Sequence, residues 1–292
     1  MLLPPFDYHE PTTLEQALEL KADFKDAARL LAGGTDLLVH LKKGLASPEH
    51  VINLGRVKAL AILEEADGFI DIGSGVTVTD LATSALIASR LPALQQGAQA
   101  LGSILVRNRA TIGGNINSAR PAADLLPSLM VYRASLVLER VGHSREISLE
   151  DFIKGPGKTD IRSDEIMSRI RVPMPPKASG AAYIHLGKRK SQEINIVNVA
   201  SCLCFDAAGV ISQARISLGS VGPTPLRAAG AEAVLTGKKP DETLLVAAGE
   251  KARRSDCRPI DDFRGSADYR RAMVGILVKR TLETAWAMAR NN

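Results

Sequence analysis

Apolar residues recur at two spacings along this chain, and the spacing changes at glycine- and proline-rich breaks. Leu14, Ala17, Leu18 and Leu20 keep the three-to-four residue rhythm of an amphipathic helix, opened by Thr12 or Thr13 as N-cap with Glu15 and Gln16 in the first turn. Residues 28–32 and 50–54 are short apolar runs of strand length. Strand, helix and strand through about residue 56 predict a small α/β unit. Residues 69–74 and 76–78 then predict paired strands. Helices follow over 78–88, 92–101 (with Pro92 in its first turn) and 122–130. Further strands are predicted at 135–139 and 145–147, with a turn at Gly155-Pro156-Gly157-Lys158. Pro173-Met174-Pro175-Pro176-Lys177 reads as a stiff linker, because its prolines cannot donate backbone hydrogen bonds. Beyond it come strands at 181–186, 197–205 and 210–218, a turn at Gly222-Pro223-Thr224-Pro225, and a mostly helix-forming remainder from 228 to 288.

Two breaks stand out chemically. Ala32-Gly33-Gly34-Thr35-Asp36 and Thr111-Ile112-Gly113-Gly114-Asn115 each follow an apolar run and precede a segment that can be helical. Glycine lacks a Cβ, so such a loop can reach positive φ and bring its backbone against a ligand. Thr35 or Asp36 can cap a helix through Lys43 that stops at Gly44. Unpaired N–H groups at a helix start suit a phosphate, and two such loops could clamp a dinucleotide. Each pair taken alone is equally an ordinary turn.

The 292 residues are enough for two or three domains with a sizeable core. The net charge of +5 comes from interspersed Lys and Arg, and aromatics are only 4%, so stacking platforms for nucleic acid are scarce. Lys188-Arg189-Lys190 and Arg253-Arg254 are short clusters, read as solvated surface or a contact for an acidic protein. No apolar run is long enough to span a bilayer, and the N-terminus lacks the basic and apolar regions of a signal peptide. A cytoplasmic location follows, in keeping with only three cysteines. Cys202 and Cys204 would share one face of a strand, as core thiols, with no partner pair at ligand spacing and no iron–sulfur cluster of the chain's own.

Leu30-Leu31-Ala32-Gly33-Gly34-Thr35-Asp36-Leu37-Leu38 resembles the first flavin-binding loop of the medium, FAD-binding subunit of molybdenum hydroxylases, a family that includes xanthine dehydrogenase, carbon monoxide dehydrogenase and 4-hydroxybenzoyl-CoA reductase. Arg107-Asn108-Arg109-Ala110-Thr111-Ile112-Gly113-Gly114-Asn115-Ile116 resembles the second loop, and Pro121-Ala122-Ala123-Asp124 the acidic motif after it. Gly155-Pro156-Gly157-Lys158-Thr159, Asp164-Glu165-Ile166, Arg189-Lys190 and Val221-Gly222-Pro223-Thr224-Pro225-Leu226-Arg227 fall in the same order, so the resemblance spans the chain.

The resemblance implies an α+β protein: a PCMH-type FAD-binding fold of two subdomains, residues 1–56 and 57–176, then a C-terminal antiparallel sheet with helices over 177–292. It implies non-covalent FAD held between the first two parts, contacted by Arg29, Leu30, Leu31, Ala32, Gly33, Gly34, Thr35, Asp36 and Leu37 and by Thr111, Ile112, Gly113, Gly114, Asn115 and Ile116. Asp124 is expected to touch the FAD, Ile166 to line the flavin, and His185 to stand where many relatives carry Lys, with Lys188 as a possible substitute cation. The Gly-Gly-Thr-Asp form of the first loop points toward the xanthine dehydrogenase and aromatic-CoA reductase branches. The cysteine-bearing insertion of the 4-hydroxybenzoyl-CoA reductase flavoprotein is missing.

The same resemblance implies an electron-transfer subunit. A large partner would carry the molybdenum cofactor and a small one [2Fe–2S] clusters, in a heterotrimer or a dimer of heterotrimers, with no metal on this chain. No general base or nucleophile is expected: His9, His40, His50, His143 and His185 are scattered, and Asp71 and Glu139 read as surface acids. Neither loop is G-x-G-x-x-G, so no Rossmann site for NAD is expected. The alternatives are a stand-alone FAD-dependent oxidase or reductase of the same flavin fold, and a non-catalytic nucleotide-binding protein.

Overall fold

The computed structural model describes residues 3–189 and 191–291; Lys190, which belongs to two of the motifs above, lies outside the described residues, as do Met1, Leu2 and Asn292. Strand β1 (Asp7–His9) leads to helix α1 (Leu14–Phe24), whose N-terminus is capped by Thr13 accepting the N–H of Gln16 at 3.3 Å. Then come β2 (Ala28–Leu31), α2 (Leu37–Lys42) and β3 (His50–Asn53). The three strands form a parallel sheet in the order β1-β3-β2. β1 was not expected from sequence, since only three residues carry it.

The second sheet collects β4 (Leu63–Ala66), β5 (Phe69–Gly73), β6 (Ser135–Arg140), β7 (His143–Ser148) and β10 (Ile166–Pro173) in the order β4-β5-β10-β6-β7. A two-stranded pair, β8 (Ile153–Gly155) with β9 (Lys158–Thr159), stands between β7 and β10, after the short α9 (Leu149–Phe152). Between β5 and β6 run α3 (Val78–Thr83), α4 (Ala85–Arg90), α5 (Pro92–Ala100), α6 (Ile104–Arg107), α7 (Ile112–Asn117) and α8 (Leu125–Val131).

Two expectations change here. β5 pairs with β4, not with residues 76–78, because Thr77 becomes an N-cap whose side chain and that of Asp80 form a reciprocal capping box. The helix predicted over 78–88 breaks at Ser84, which ends α3 and caps α4 through Oγ and the Ile87 N–H at 3.3 Å.

The third sheet is antiparallel: β11 (Ser179–Leu186), β12 (Val197–Phe205), β13 (Ile211–Gly219) and β14 (Leu226–Arg227), with α10 (Ala229–Leu235), α11 (Glu242–Lys251) and α12 (Ala267–Asn291) packed on one face. β12 is covered on both sides. Val197, Val199 and Leu203 pack with the apolar faces of α10 to α12, whereas Ala200, Cys202 and Cys204 turn to the cluster of Leu94, Leu125 and Met130. That double burial explains why Val197–Phe205 reads as a nearly unbroken apolar run. It also seats both thiols in the core.

Candidate functional site

The parallel sheet sets the location. Chain leaving the carboxyl ends of β2 and β3 opens onto one cleft, lined by Ala32 and Gly33 from the first glycine loop and by Leu54 and Gly55 after β3. Val57, Leu60, Ala61, Ser74, Gly75, Thr77, Asn108, Arg109 and Thr111 complete its lining. Crevices outside the carboxyl ends of parallel strands are the usual ligand positions of open α/β sheets. That rule would have pointed to Leu54 and Gly55, which the motif comparison passed over.

The two glycine loops meet at this cleft. A Cβ on Gly33 would overlap the carbonyl oxygen of Arg109, so the first requirement for glycine here is contact between loops, not contact with a ligand. Gly34 has φ +75°, the left-handed conformation that glycine adopts without strain. Asp36 makes no side-chain cap to α2; its carboxylate pairs with Arg120 at 3.0 Å. The helix the loop feeds has six residues, so its dipole adds little, and the loop itself is the donor array. Among the described residues, the N–H groups of Gly33, Gly34, Thr35 and Asp36 have no protein acceptor.

The second loop differs from expectation. Gly113 and Gly114 lie inside α7, capped by Thr111, not ahead of a helix. Their N–H groups are already engaged. Ile112 donates to Val76 O at 3.0 Å, Gly113 to Ser74 O at 2.9 Å, Gly114 to Thr111 Oγ1 at 3.1 Å, and Asn115 to Thr111 O at 3.0 Å. Ile112 and Ile116 are core side chains. Asn115 Oδ1 is buried without a donor, an orphaned acceptor beside an otherwise satisfied segment.

The remaining candidates separate. Arg29 is exposed, while Leu30 packs against the cluster of Ala17, Leu18, Val57, Leu60 and Ile166. Ile166 is 1% exposed, so it sits behind the cleft wall made by Val57 and Leu60. Leu31 and Leu37 are half-buried at the two ends of the first loop. The His185 ring is engaged by a neighbouring amide: its Nδ1 lies 3.0 Å from Asn195 Oδ1. Lys188 donates to the Phe263 carbonyl at 2.8 Å.

Asp124 is buried at the start of α8, yet makes no cap bond. Its Oδ1 accepts from Tyr183 Oη at 2.8 Å and Asn195 Nδ2 at 2.7 Å. Burial pushes this carboxyl above the usual range, against the two bonds that favour its charge. Burial, and then the neighbouring Asp124 charge, push the Tyr183 phenol far up, so that it stays a neutral donor.

These residues fit a flavin dinucleotide. Four free N–H groups in a row suit diphosphate oxygens, Arg109 adds a cation to the cleft, and Asn115 Oδ1 can take a hydroxyl donor. Among the described residues, no cluster of three or more His, Cys, Asp or Glu could hold a metal ion, and no helix is long and apolar enough to cross a membrane.

Comparison with known proteins agrees with this architecture. Residues 4–175 match the family described as the FAD binding domain in molybdopterin dehydrogenase, and residues 182–285 the CO dehydrogenase flavoprotein C-terminal domain. The chain belongs to the FAD-binding subunits of the molybdopterin dehydrogenases. It is 36% identical over 287 residues to the carbon monoxide dehydrogenase medium chain of Hydrogenophaga pseudoflava, spanning 98% of this chain and 99% of that one. It is 31% identical over 286 residues to the xanthine dehydrogenase FAD-binding subunit of Escherichia coli O157:H7, spanning 97% and 96%.

Solved structures give the same answer. Carbon monoxide dehydrogenase from Hydrogenophaga pseudoflava superposes with a TM-score of 0.92 at 36% identity, over 98% of this chain and 99% of that one. Quinoline 2-oxidoreductase from Pseudomonas putida 86 also reaches 0.92, at 29% identity over 99% of both chains. The chain is thus an oxidoreductase component, the FAD-binding medium subunit of a molybdenum hydroxylase. Whole-chain identity is 36% to the carbon monoxide dehydrogenase chain and 31% to the xanthine dehydrogenase one.

Proposed function

We propose that this chain takes electrons from a small [2Fe–2S] subunit and passes them to an external acceptor, using FAD held in the cleft between the glycine loops. The observation that carries this reading is the row of unpartnered N–H groups on Gly33, Gly34, Thr35 and Asp36 at the mouth of β2. They would hold the diphosphate, with Arg109 as the nearby cation and Asn115 Oδ1 as an acceptor for a hydroxyl. FAD held there would supply a junction between one-electron and two-electron transfer. The protein's own share is to bind, orient and exclude water, as for other cofactor enzymes. The satisfied N–H groups of α7 give the second loop a shaping role: it closes onto Gly33 through Arg109 and fixes the cleft width.

The partners in this reading are a large subunit with the molybdenum cofactor and a small [2Fe–2S] subunit, in a heterotrimer or its dimer. The names of the relatives support it, since a medium chain has companions. The three larger sheets support a three-part division near residues 56 and 176. The three free cysteines, all buried, suit a reducing cytoplasm.

The test is size-exclusion chromatography of the protein isolated from its native host, with molybdenum, iron and FAD measured across the peak. Coelution of all three with this chain is the expected result. A redox-active flavoprotein running alone would overturn the subunit reading in favour of a stand-alone oxidase or reductase.

A further inference from the structure

Three arginines converge where the third sheet meets the end of α8. Arg227 on the edge strand β14 stands opposite Ser217 of β13, so Arg215, two residues before Ser217, is its diagonal neighbour on the same face. The Ser217 hydroxyl lies 3.5 Å from Met130 Sδ, so this face looks onto α8, and Arg133 follows at the end of that helix. Ala134 O accepts the N–H of Leu149 at 3.0 Å, and the adjoining Glu150 reaches Arg227, 3.5 Å from its Nε. Glu232 bonds the same guanidinium and accepts the Ile216 N–H at 2.9 Å.

Both carboxylates are thus committed to Arg227. The guanidinium groups of Arg133 and Arg215 make no hydrogen bond or ion pair among the described residues, and Arg215 Nε is buried without an acceptor. Burial, and then the charge of Arg227, pull Arg215 below the usual guanidinium range; Glu150 and Glu232 attract it, and Arg133 repels it. Arg133 has a left-handed backbone, φ +60°, at the point where its N–H and that of Ala134 close α8 on Met130 O and Leu129 O at 3.1 and 3.0 Å. Glycine is the favoured residue at such a helix end. One arginine therefore sits in backbone strain and the other in like-charge repulsion. Both cost the isolated chain stability, and costs of that kind concentrate at functional sites.

We infer that Arg133 and Arg215 form an interaction site for a carboxylate carried by a companion subunit. Arg133 is exposed and Arg215 half-buried, so the pair opens at the surface. Guanidinium groups present the forked donors that match a carboxylate, and a chain docking over them excludes water, which strengthens the contact. A free ion at so open a place stays hydrated and is screened by salt. The inference rests on the reading that this chain is one subunit of a larger complex.

The experiment reconstitutes the complex from the metallocofactor subunits, separated from the native assembly, and the full-length chain as wild type, Arg133→Gly or Arg215→Gln. The melting temperature of each chain is also measured alone. We expect either variant to assemble at least about tenfold more weakly, the scale of one hydrogen bond to a charged group, and with a shallower salt dependence. Alone, Arg133→Gly should melt higher than wild type, because glycine relieves the left-handed backbone, so stability and assembly move in opposite directions. Wild-type assembly strength in the variants would overturn the inference, as would a loss of assembly that tracks a lowered melting temperature in Arg133→Gly. Inorganic phosphate that stabilises the wild-type chain but not the variants, with assembly unchanged among them, would mean a free-anion site and overturn it too. If Arg215→Gln does not fold, Arg133→Gly decides by the same outcomes. If no metallocofactor subunit accompanies the wild-type chain in its host, the complex reading itself fails, so the two failures are distinguishable.

Discussion

Gly33 sits so close beneath the carbonyl of Arg109 that one added carbon would overlap the oxygen. The first glycine loop is therefore shaped by the segment ahead of α7 before any ligand arrives. Gly33→Ala should push the loops apart, at the roughly 1–3 kcal/mol typical of overpacking a tight site, and lower FAD content together with the melting temperature. A variant with unchanged melting temperature would show that the loops do not rest on one another.

Gly114 makes the opposite prediction. It is exposed, and a Cβ there would meet only Thr111 Oγ1, at 3.1 Å. Gly114→Val should hold its thermal stability within about 1 kcal/mol, since leaving glycine favours a helix. FAD occupancy should fall nonetheless. Full occupancy in purified Gly114→Val would mean that the cofactor does not approach this face of α7.

Asp71 is a buried clamp, not the surface acid that the sequence reading expects. It is 3% exposed on β5, with Arg169 at 3.0 Å and Arg171 at 3.2 Å from the neighbouring β10, and Arg171 also lies over the Phe69 ring. Asp71→Ala leaves two guanidinium groups facing each other without their shared carboxylate. Urea unfolding should show a loss of about 2 kcal/mol, with Asp71→Asn in between. A loss below about 0.5 kcal/mol would place the ion pairs among the energetically neutral ones.

Glu165 gives a pH signature. Burial pushes its carboxyl up, but Arg145 at 2.7 and 2.9 Å and the Arg162 N–H at 2.8 Å outweigh it, and the net is below the ordinary 4.5. A depressed carboxyl contributes stability above its unfolded value and loses it as pH falls through the folded one. Arg145 also lowers Asp160, in the same direction. Arg145→Met should therefore be less stable than wild type at neutral pH, with the gap narrowing once pH drops below about 4.5. A gap that stays constant on acidification would contradict the assignment.

Much of this fold was legible in the sequence because the signals were local. The Pro92 start of α5, the Thr13 cap and the apolar run of β12 each act within a few residues. Other features depend on pairings that no local pattern encodes. Residues 76–78 have strand composition, yet Thr77 finds Asp80 three residues on and turns the chain into α3. Asp71 is polar, and only the register of β10 brings two arginines beside it. The site divides the same way. Gly33 and Gly34 announce a special loop, but that Gly33 answers to Arg109, and that the N–H groups of α7 are already engaged, follow from tertiary contacts. The reach of Asn195, in the connection from β11 to β12, to Asp124 at the start of α8 left no trace in sequence spacing at all.

The central claim is that the cleft beneath the first glycine loop holds FAD without a covalent bond. Its most direct test is to heat-denature the protein isolated from its native host and identify the released chromophore by chromatography. Free FAD in the supernatant is the predicted result. FMN, or no flavin from soluble, folded protein, would contradict it and return the unpartnered N–H groups of Gly33 to Asp36 to some other phosphate ligand.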